Sequence, residues 1–201
     1  MKRTISVVGS ATVSVDPDIA RTTCGVQVTG PNAHDVLRRA NDALHAIIEA
    51  VVAAGVGRAD LRTNGPQLYP SEHGYTGSND LSIMVRHLDS LGAVIDTMVA
   101  AGGPNVTMRG VTFAIADPTV HLPALRRSAM DAAHEIATVL AEAGGATVGE
   151  VLRIEESSGV PTPMGVARMS EARFSRSTPI EPGEQELRVD VNVVYRLRDP
   201  G

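Results

Sequence analysis

The sequence of 201 residues is poor in large side chains and in cysteine. It has no tryptophan, three tyrosines and two phenylalanines, so aromatic residues make up 2% of the chain. Proteins that stack on single-stranded nucleic acid or enclose methylated ammonium groups need aromatic side chains for those contacts. The scarcity argues against both functions, and a single cysteine excludes an internal disulfide framework and a cysteine metal cluster.

Positive charge is also sparse, with 18 basic against 23 acidic residues and a formal net charge of −5. No basic run could neutralise a series of phosphates, so we predict no nucleic-acid partner. The N-terminal residues lack the apolar run of a secretory signal, and no stretch approaches the ~20 apolar residues of a membrane span. From the residues alone we therefore expect a cytoplasmic protein without a transmembrane segment.

Alternation of apolar and polar residues predicts strands at both ends of the chain. Over residues 4–15, Ile5, Val7 and Val13 share one face, while serines and threonines occupy the other. Residues 185–198 alternate in the same way. One dry and one wet face is typical of an antiparallel sheet that helices cover on one side.

The segments between these strands alternate between helical and strand patterns. Helices are predicted over 32–54, 88–101 and 121–143, and further strands over 19–29, 60–70, 80–87, 105–116 and 148–157. The range 71–79 is predicted as a polar turn region, and 158–183 has no clear period. On the third helix, the residues predicted to face inward are Leu125, Ala129, Ala132, Ile136, Ala137 and Leu140. The pattern predicts an α+β fold, with antiparallel sheets and helices packed on one face.

An internal repeat accompanies this pattern. Residues 38–55 align without gaps to 127–144 at an offset of 89, with matches that include His45/His134, Ile47/Ile136 and Gly55/Gly144. We interpret the chain as a single domain, 1–201, that contains two repeated strand–helix–strand–strand units. The internal halves are expected at about 1–103 and 104–201.

The chain carries no recognisable catalytic motif. It has neither a Gly-x-Ser-x-Gly elbow nor a phosphate-binding loop. Cys24 lies on the apolar face of the second predicted strand, which indicates a small core residue and not a catalytic thiol. We therefore predict no catalytic residue and no cofactor.

Two aspartate–histidine pairs leave one enzymatic alternative open. Asp42 and His45, like Asp131 and His134, are spaced i,i+3 on predicted helices, which places each carboxylate and imidazole on one face. If the two helix faces met, these four side chains could hold a metal for a hydrolase. Each pair could equally make a surface hydrogen bond or contribute to the solvation of a helix end.

Several short segments occur in a characteristic order from about residue 4 to 197. They are Ile5–Gly9, Pro17–Ala20, Asn41, Gly55, Asp60–Thr63, Gly74-Tyr75, Asn79–Leu81, Gly110–Phe113, Ala133, Ala137, Leu140-Ala141, Gly149–Val151, Pro179–Glu184 and Val194-Tyr195. This ordered set resembles the SIMPL-domain family, which includes bacterial periplasmic and surface antigens and stress-linked proteins. The resemblance implies an α+β fold, ring- or channel-like homo-oligomers and no established enzyme activity.

The resemblance also allows a periplasmic or envelope location. We accordingly predict a non-enzymatic homo-oligomeric scaffold or binding protein with a stress- or envelope-related role. The candidate contact segments are 69–79 and 158–183, because large apolar side chains concentrate at interfaces. The residues predicted to make oligomer or partner contacts are Tyr69, Tyr75, Met164, Met169 and Phe174.

Overall fold

The computed structural model describes residues 3–157, the backbone of 164–165, and residues 182–199. The strands are β1 (Thr4–Val15), β2 (Ile19–Gly30), β3 (Leu61–Ser71), β4 (Gly74–Val85), β5 (Val106–Ala114), β6 (Thr147–Glu156), β7 (Met164–Gly165) and β8 (Gln185–Arg198). The helices are α1 (Ala33–Ala53), α2 (Leu91–Gly102) and α3 (Leu122–Ala143). Two antiparallel sheets with three helices confirm the predicted α+β class.

These elements form two compact units. The first contains β1, α3, β6, β7 and β8, and the second contains β2, α1, β3, β4, α2 and β5. The boundary expected near residue 103 falls inside the second unit, where β5 pairs with β2. The chain passes from the first unit to the second after Asp16 and returns after Ala114.

The sheet of the first unit has the order β1-β8-β6. The short strand β7 pairs with the first two residues of β8, Gln185 and Glu186, which β6 does not reach. β1 and β8 pair without interruption from Thr4 opposite Arg196 to Val15 opposite Gln185. Their alternating apolar residues turn one sheet face toward α3, where Val7, Val191, Val193 and Tyr195 are buried. The strand predictions at both chain ends are confirmed, because each strand has a dry face to bury.

Helix α3 packs unusually close to β1. A Cβ atom added at Gly9 would overlap the carbonyl oxygen of Ala129 and would lie 2.5 Å from the amide nitrogen of Ala133. The buried side chains of α3 beneath the sheet are Leu122, Leu125, Ala129, Ala133, Ala137 and Ala141. From Leu125 on they are spaced four residues apart, and the helix meets the sheet through a ridge of small residues.

This ridge corrects the inward face predicted for α3. Ala132 is half-buried, and Ile136 and Leu140 are 41% and 53% exposed. Ala133 and Ala141 are buried in place of the predicted Ile136 and Leu140, because larger aliphatic side chains would hold the helix away from Gly9. The hydrophobicity of Ile136 and Leu140 was therefore a misleading guide to the buried side.

The sheet of the second unit has the order β3-β4-β2-β5, with α1 and α2 on one face. The polar turn predicted over 71–79 is wrong beyond residue 73, because β4 begins at Gly74. Thr76 to Asn79 pair with β2 and β3 on both sides, so polar residues are held in the strand by backbone bonds. Buried Asn79 donates from Nδ2 to Oδ1 of Asn41 on α1 at 3.2 Å, which satisfies one polar contact inside the core.

Both units repeat one arrangement. In the second unit, α1 is followed along the chain by the edge strand β3 and by β4, which pairs with β3 and β2. In the first unit, α3 is followed by the edge strand β6 and later by β8, which pairs with β6 and β1. The buried positions Val36, Ala40 and Leu44 of α1 correspond to residues 89 further on, but Ile47 and Val51 correspond to Ala137 and Ala141, 90 further on. The ungapped match of Ile47 to Ile136 is therefore displaced by one residue.

We predict that Gly9→Ala lowers the free energy of unfolding by about 2 kcal/mol, because the new methyl group overpacks the β1–α3 contact. Chemical denaturation of both proteins measures this difference. Gly57→Ala is the matched control, since Gly57 has φ −66° and its nearest neighbour would lie 3.4 Å from the added Cβ. Equal stabilities for the two variants would contradict the close-packing account.

Candidate functional site

The predicted contact residues occupy different environments. Tyr69 is 54% exposed on edge strand β3 and donates its hydroxyl to Oε1 of Gln67 at 2.9 Å. Tyr75 is half-buried against the small cluster of Val28, Val36 and Ala40. Met164 lies in β7, of which only the backbone is described, and Met169 and Phe174 lie outside the described residues. A contact role for these five residues stays a prediction, and of them Tyr69 is the one placed on the described surface.

Among the described residues, the two aspartate–histidine pairs do not come together to form a metal site. Asp42 accepts a hydrogen bond from Arg38 at 3.1 Å, and the ring of His134 lies 5.8 Å from that of Tyr195. The pair Asp42/His45 lies in the second unit and Asp131/His134 in the first. Across residues 3–157 and 182–199, no three His, Cys, Asp or Glu side chains are grouped so that they could hold a metal. The hydrolase alternative therefore has no site among these residues.

The outer face of the second sheet, opposite α1 and α2, carries a cleft of about 620 Å³. It is lined by side chains from four strands and from the turn before β3. The polar lining residues are Arg21, Thr22 and Thr23 of β2, Asp60, Arg62 of β3, Ser82 of β4, and Arg109 and Thr112 of β5. Three guanidinium groups, four hydroxyls and one carboxylate thus line the cleft.

A bulge in β5 shapes one side of this cleft. Thr22 pairs with Val111 and Cys24 pairs with Met108, so Arg109 and Gly110 together oppose Thr23. Gly110 has φ +79°, a conformation that other residues rarely adopt. Thr22 donates its hydroxyl to the carbonyl oxygen of Gly110 at 2.7 Å and so secures the bulge that sets the position of Arg109.

An ion pair crosses the sheet beside the bulge. Asp80 of β4 accepts a hydrogen bond from Arg109 of β5 at 2.8 Å, although β2 lies between the two strands. A Cβ atom at Gly25 of β2 would overlap Oδ1 of Asp80. The absence of a side chain at Gly25 therefore opens the path that lets Asp80 reach Arg109.

A second ion pair closes the opposite side of the cleft. Arg86 donates from Nε to Oδ2 of Asp60 at 2.9 Å and from Nη2 to Oδ1 at 2.7 Å. The Asp60 side chain is 12% exposed. Hydrogen bonds from the Arg86 guanidinium hold the pKa of the Asp60 carboxyl below its usual range, although desolvation opposes the shift.

Arg21 and Arg62 differ from these paired arginines. Their guanidinium groups have no ion-pair or hydrogen-bond partner among the described residues. Arginine stays protonated at all ordinary pH values and presents a planar set of donors. The cleft therefore carries donors suited to anions.

Sequence reasoning did not single out Arg21 or Arg109. Alternation along β2 would have placed Arg21 and Thr23 on its wet face, but the pairing with β4 and β5 and the bulge at Gly110 depend on long-range contacts. Asp60, Arg62, Gly110 and Thr112, which do line the cleft, belong to the ordered segments that carried the family resemblance.

Cys24 lies on the other face of β2, within the core of the second unit. It is a free cysteine and is 1% exposed. Burial raises the pKa of its thiol to about 11, with a smaller raising effect from the charge of Asp80. The prediction of a structural cysteine is confirmed, because a buried thiol with this pKa is not a nucleophile at neutral pH.

The architecture defines an α+β protein of two units whose helices cover one face of each sheet. The chain belongs to the SIMPL family, because the family model, described as a protein of unknown function (DUF541), matches residues 5–195. The predicted family membership is confirmed. Within the described residues, none of the helices has the length and apolar character needed to cross a membrane.

Two relatives were found in Brucella. The chain is similar to a "26 kDa periplasmic immunogenic protein" of Brucella melitensis and to one of the same name in Brucella abortus. Each is 30% identical over 211 residues, and the match covers 96% of this chain and 84% of the relative. The similarity therefore extends over both structural units.

We predict that Arg86→Gln raises the pKa of Asp60 toward its ordinary value. A carboxyl whose pKa is lower in the folded than in the unfolded protein stabilises the fold at pH values above the pKa of the unfolded state. This stabilisation is lost as the pH falls through the pKa of the folded state. The variant should be less stable than wild type at neutral pH, with a difference that shrinks in acid. NMR titration of the Asp60 carboxyl and denaturation against pH measure both effects.

Arg58→Gln is the matched control for this change. Arg58 pairs with Glu49 at 2.8 Å on the surface, so its loss should leave the titration of Asp60 nearly unchanged. An Asp60 pKa that is the same in wild type and Arg86→Gln would contradict the assignment.

We also predict that Cys24 resists thiol reagents in the native protein. With a pKa of about 11, its thiolate fraction at pH 8 is lower than that of an ordinary cysteine by roughly two orders of magnitude. Labelling with a chromogenic disulfide should be slow in buffer and complete in denaturant. Rapid labelling of the folded protein would contradict the prediction, because it would show that the core of the second unit opens readily.

Proposed function

We propose that this protein is a non-enzymatic scaffold or binding protein that self-associates through the free edge of β1. The observation that carries this proposal is the composition of that edge. β1 runs for 12 residues, pairs with β8 alone among the described strands, and contains no charged residue and no proline. A long, uncharged, regular edge is a ready template for pairing with another strand.

The direction of the backbone groups supports the proposal. The amide of Leu197 donates to the carbonyl oxygen of Arg3 at 2.9 Å, so the odd-numbered residues of β1 bond to β8. Bonding direction alternates along an antiparallel strand. The amides and carbonyls of the even-numbered residues, from Thr4 to Ser14, therefore point away from β8 and are available to a further strand.

The other edge strands carry features that discourage pairing. β3 contains Pro66 and Pro70, β5 contains the Arg109–Gly110 bulge, and β6 has irregular register and four charged residues. Charges, prolines and bulges are the usual protection of sheet edges. β1 lacks all three and also exposes Val8 on its outer face, with 56% of the residue accessible.

A second copy of this chain is the occupant that fits the β1 edge. A chain with net charge −5 repels its own copies unless they meet through neutral surfaces, and β1 is neutral along its whole length. Two β1 strands meeting antiparallel produce a closed dimer, whereas β1 meeting a different edge of the next copy produces a ring. The ring or channel expected from the family resemblance is of the second kind and would require one of the protected edges, so the β1–β1 dimer is the assembly that we propose for this edge.

The relatives bear on where this assembly acts. Both Brucella proteins are named as periplasmic, and we propose the periplasm, or the envelope in a wider sense, for this protein as well. The cytoplasmic location expected from the residues alone has no support in these relatives. The stress-related part of the predicted role stays an expectation from the family resemblance.

Self-association is tested with Val8→Lys, which places a charge on the outer face of β1 without removing a bond to β8. We expect wild type to be oligomeric at micromolar concentration and Val8→Lys to have a smaller mass by light scattering. Val8→Thr is the control, since it keeps the branched shape without charge and should retain most of the assembly. A monomeric wild-type protein would overturn the proposal, as would an unchanged mass in Val8→Lys.

A further inference from the structure

We propose that the cleft on the outer face of the second sheet binds a small molecule bearing two or more phosphoryl groups, held by the guanidinium groups of Arg21 and Arg62. This inference does not rest on the proposed self-association, which concerns β1 in the other unit. Its basis is the combination of a cleft, two arginines without a partner among the described residues, and a floor of hydroxyl groups.

The charge around the cleft favours an anion even though the whole chain is acidic. Two carboxylates at the cleft are engaged: Asp60, which lines it, by two hydrogen bonds from Arg86 at 2.7 and 2.9 Å, and Asp80 by the lining residue Arg109. Asp18 also acts electrostatically on Arg86. These pairings reduce the repulsion that an incoming anion would meet, while Arg21 and Arg62 keep their donors and full charge.

The strand register places Arg21 and Arg62 across the cleft from each other. Arg62 of β3 lies opposite Ser82 of β4, and Arg21 of β2 lies opposite Met84 of β4 and Thr112 of β5. β3 and β2 are separated by one strand, so their axes lie roughly 10 Å apart. Long arginine side chains can converge from this distance on one ligand that carries two anionic groups.

Hydroxyl groups complete the donor set around the arginines. Ser82 and Thr23 face each other on β4 and β2 in the same row as Arg62, and Thr112 lies beside Arg21. Hydroxyl and guanidinium donors together are the usual partners of phosphate oxygens. Two guanidinium groups with separate approaches suit a ligand with linked phosphoryl groups better than a single monovalent anion.

The size and lining limit the ligand further. A cleft of about 620 Å³ lies within the range of small-molecule sites. Among the described residues the lining includes no aromatic side chain, so a nucleobase would find no aromatic stacking partner in this part of the cleft. The cleft therefore recognises the anionic part of its ligand, which makes inorganic polyphosphates suitable probes.

Titration calorimetry of the full chain with pyrophosphate and tripolyphosphate at low ionic strength tests the proposal. We expect saturable binding that weakens with added salt. Arg21→Gln and Arg62→Gln should each weaken binding by about tenfold, and the double variant should abolish it. Arg127→Gln is the matched control, because this exposed arginine on α3 also has no partner among the described residues and lies outside the cleft.

Absence of binding by the wild-type protein would overturn the inference, as would wild-type affinity in the double variant or an equal loss in Arg127→Gln. Citrate separates phosphate recognition from general attraction of polyanions. Weaker binding of citrate than of tripolyphosphate is expected, and equal binding would overturn the phosphate assignment. The variants change exposed side chains on a sheet surface, and circular dichroism should show an unchanged fold.

Discussion

The near contact between the backbones of α3 and β1 at Gly9 determines how the first unit is packed. A helix this close to a strand leaves room for alanine and for little else, which is why Ala129, Ala133 and Ala137 form the buried ridge. The larger aliphatic side chains of α3 are displaced to its outer side. The scarcity of aromatic residues is thus consistent with short distances between helix and sheet, since bulky groups would separate the layers.

In the described residues helices pack on one face of each sheet, and the two units present different surfaces outside these cores. The outer face of the second sheet is polar, with one ion pair across β2, a second beside the ends of β3 and β4, and two arginines that have no partner among the described residues. The first unit instead offers an edge, β1, that is neutral along its length. A helix-covered sheet therefore supplies two kinds of surface, one suited to anions and one suited to another strand.

Much of the fold could be predicted because its signals are local. Alternation in β1 and β8 reports directly which residues are buried, and Gly55 and the Gly144-Gly145 pair mark the helix ends. The face of α3 could not be predicted, because hydrophobicity favours burial of Ile136 and Leu140, whereas the distance to Gly9 selects alanine. The start of β4 was missed because its polar residues are held by pairing with two neighbouring strands, which a single-strand pattern does not contain.

The sequence alone determined the order of helices and strands, the α+β class, the structural role of Cys24 and the resemblance to the SIMPL family. Each of these depends on residue types at short spacing or on segments in a fixed order along the chain. Tertiary structure decided which strands became edges, which arginines found carboxylates and where the cleft lies. Those outcomes depend on register and on a bulge at Gly110, which bring together residues as distant in the chain as Arg21 and Arg109.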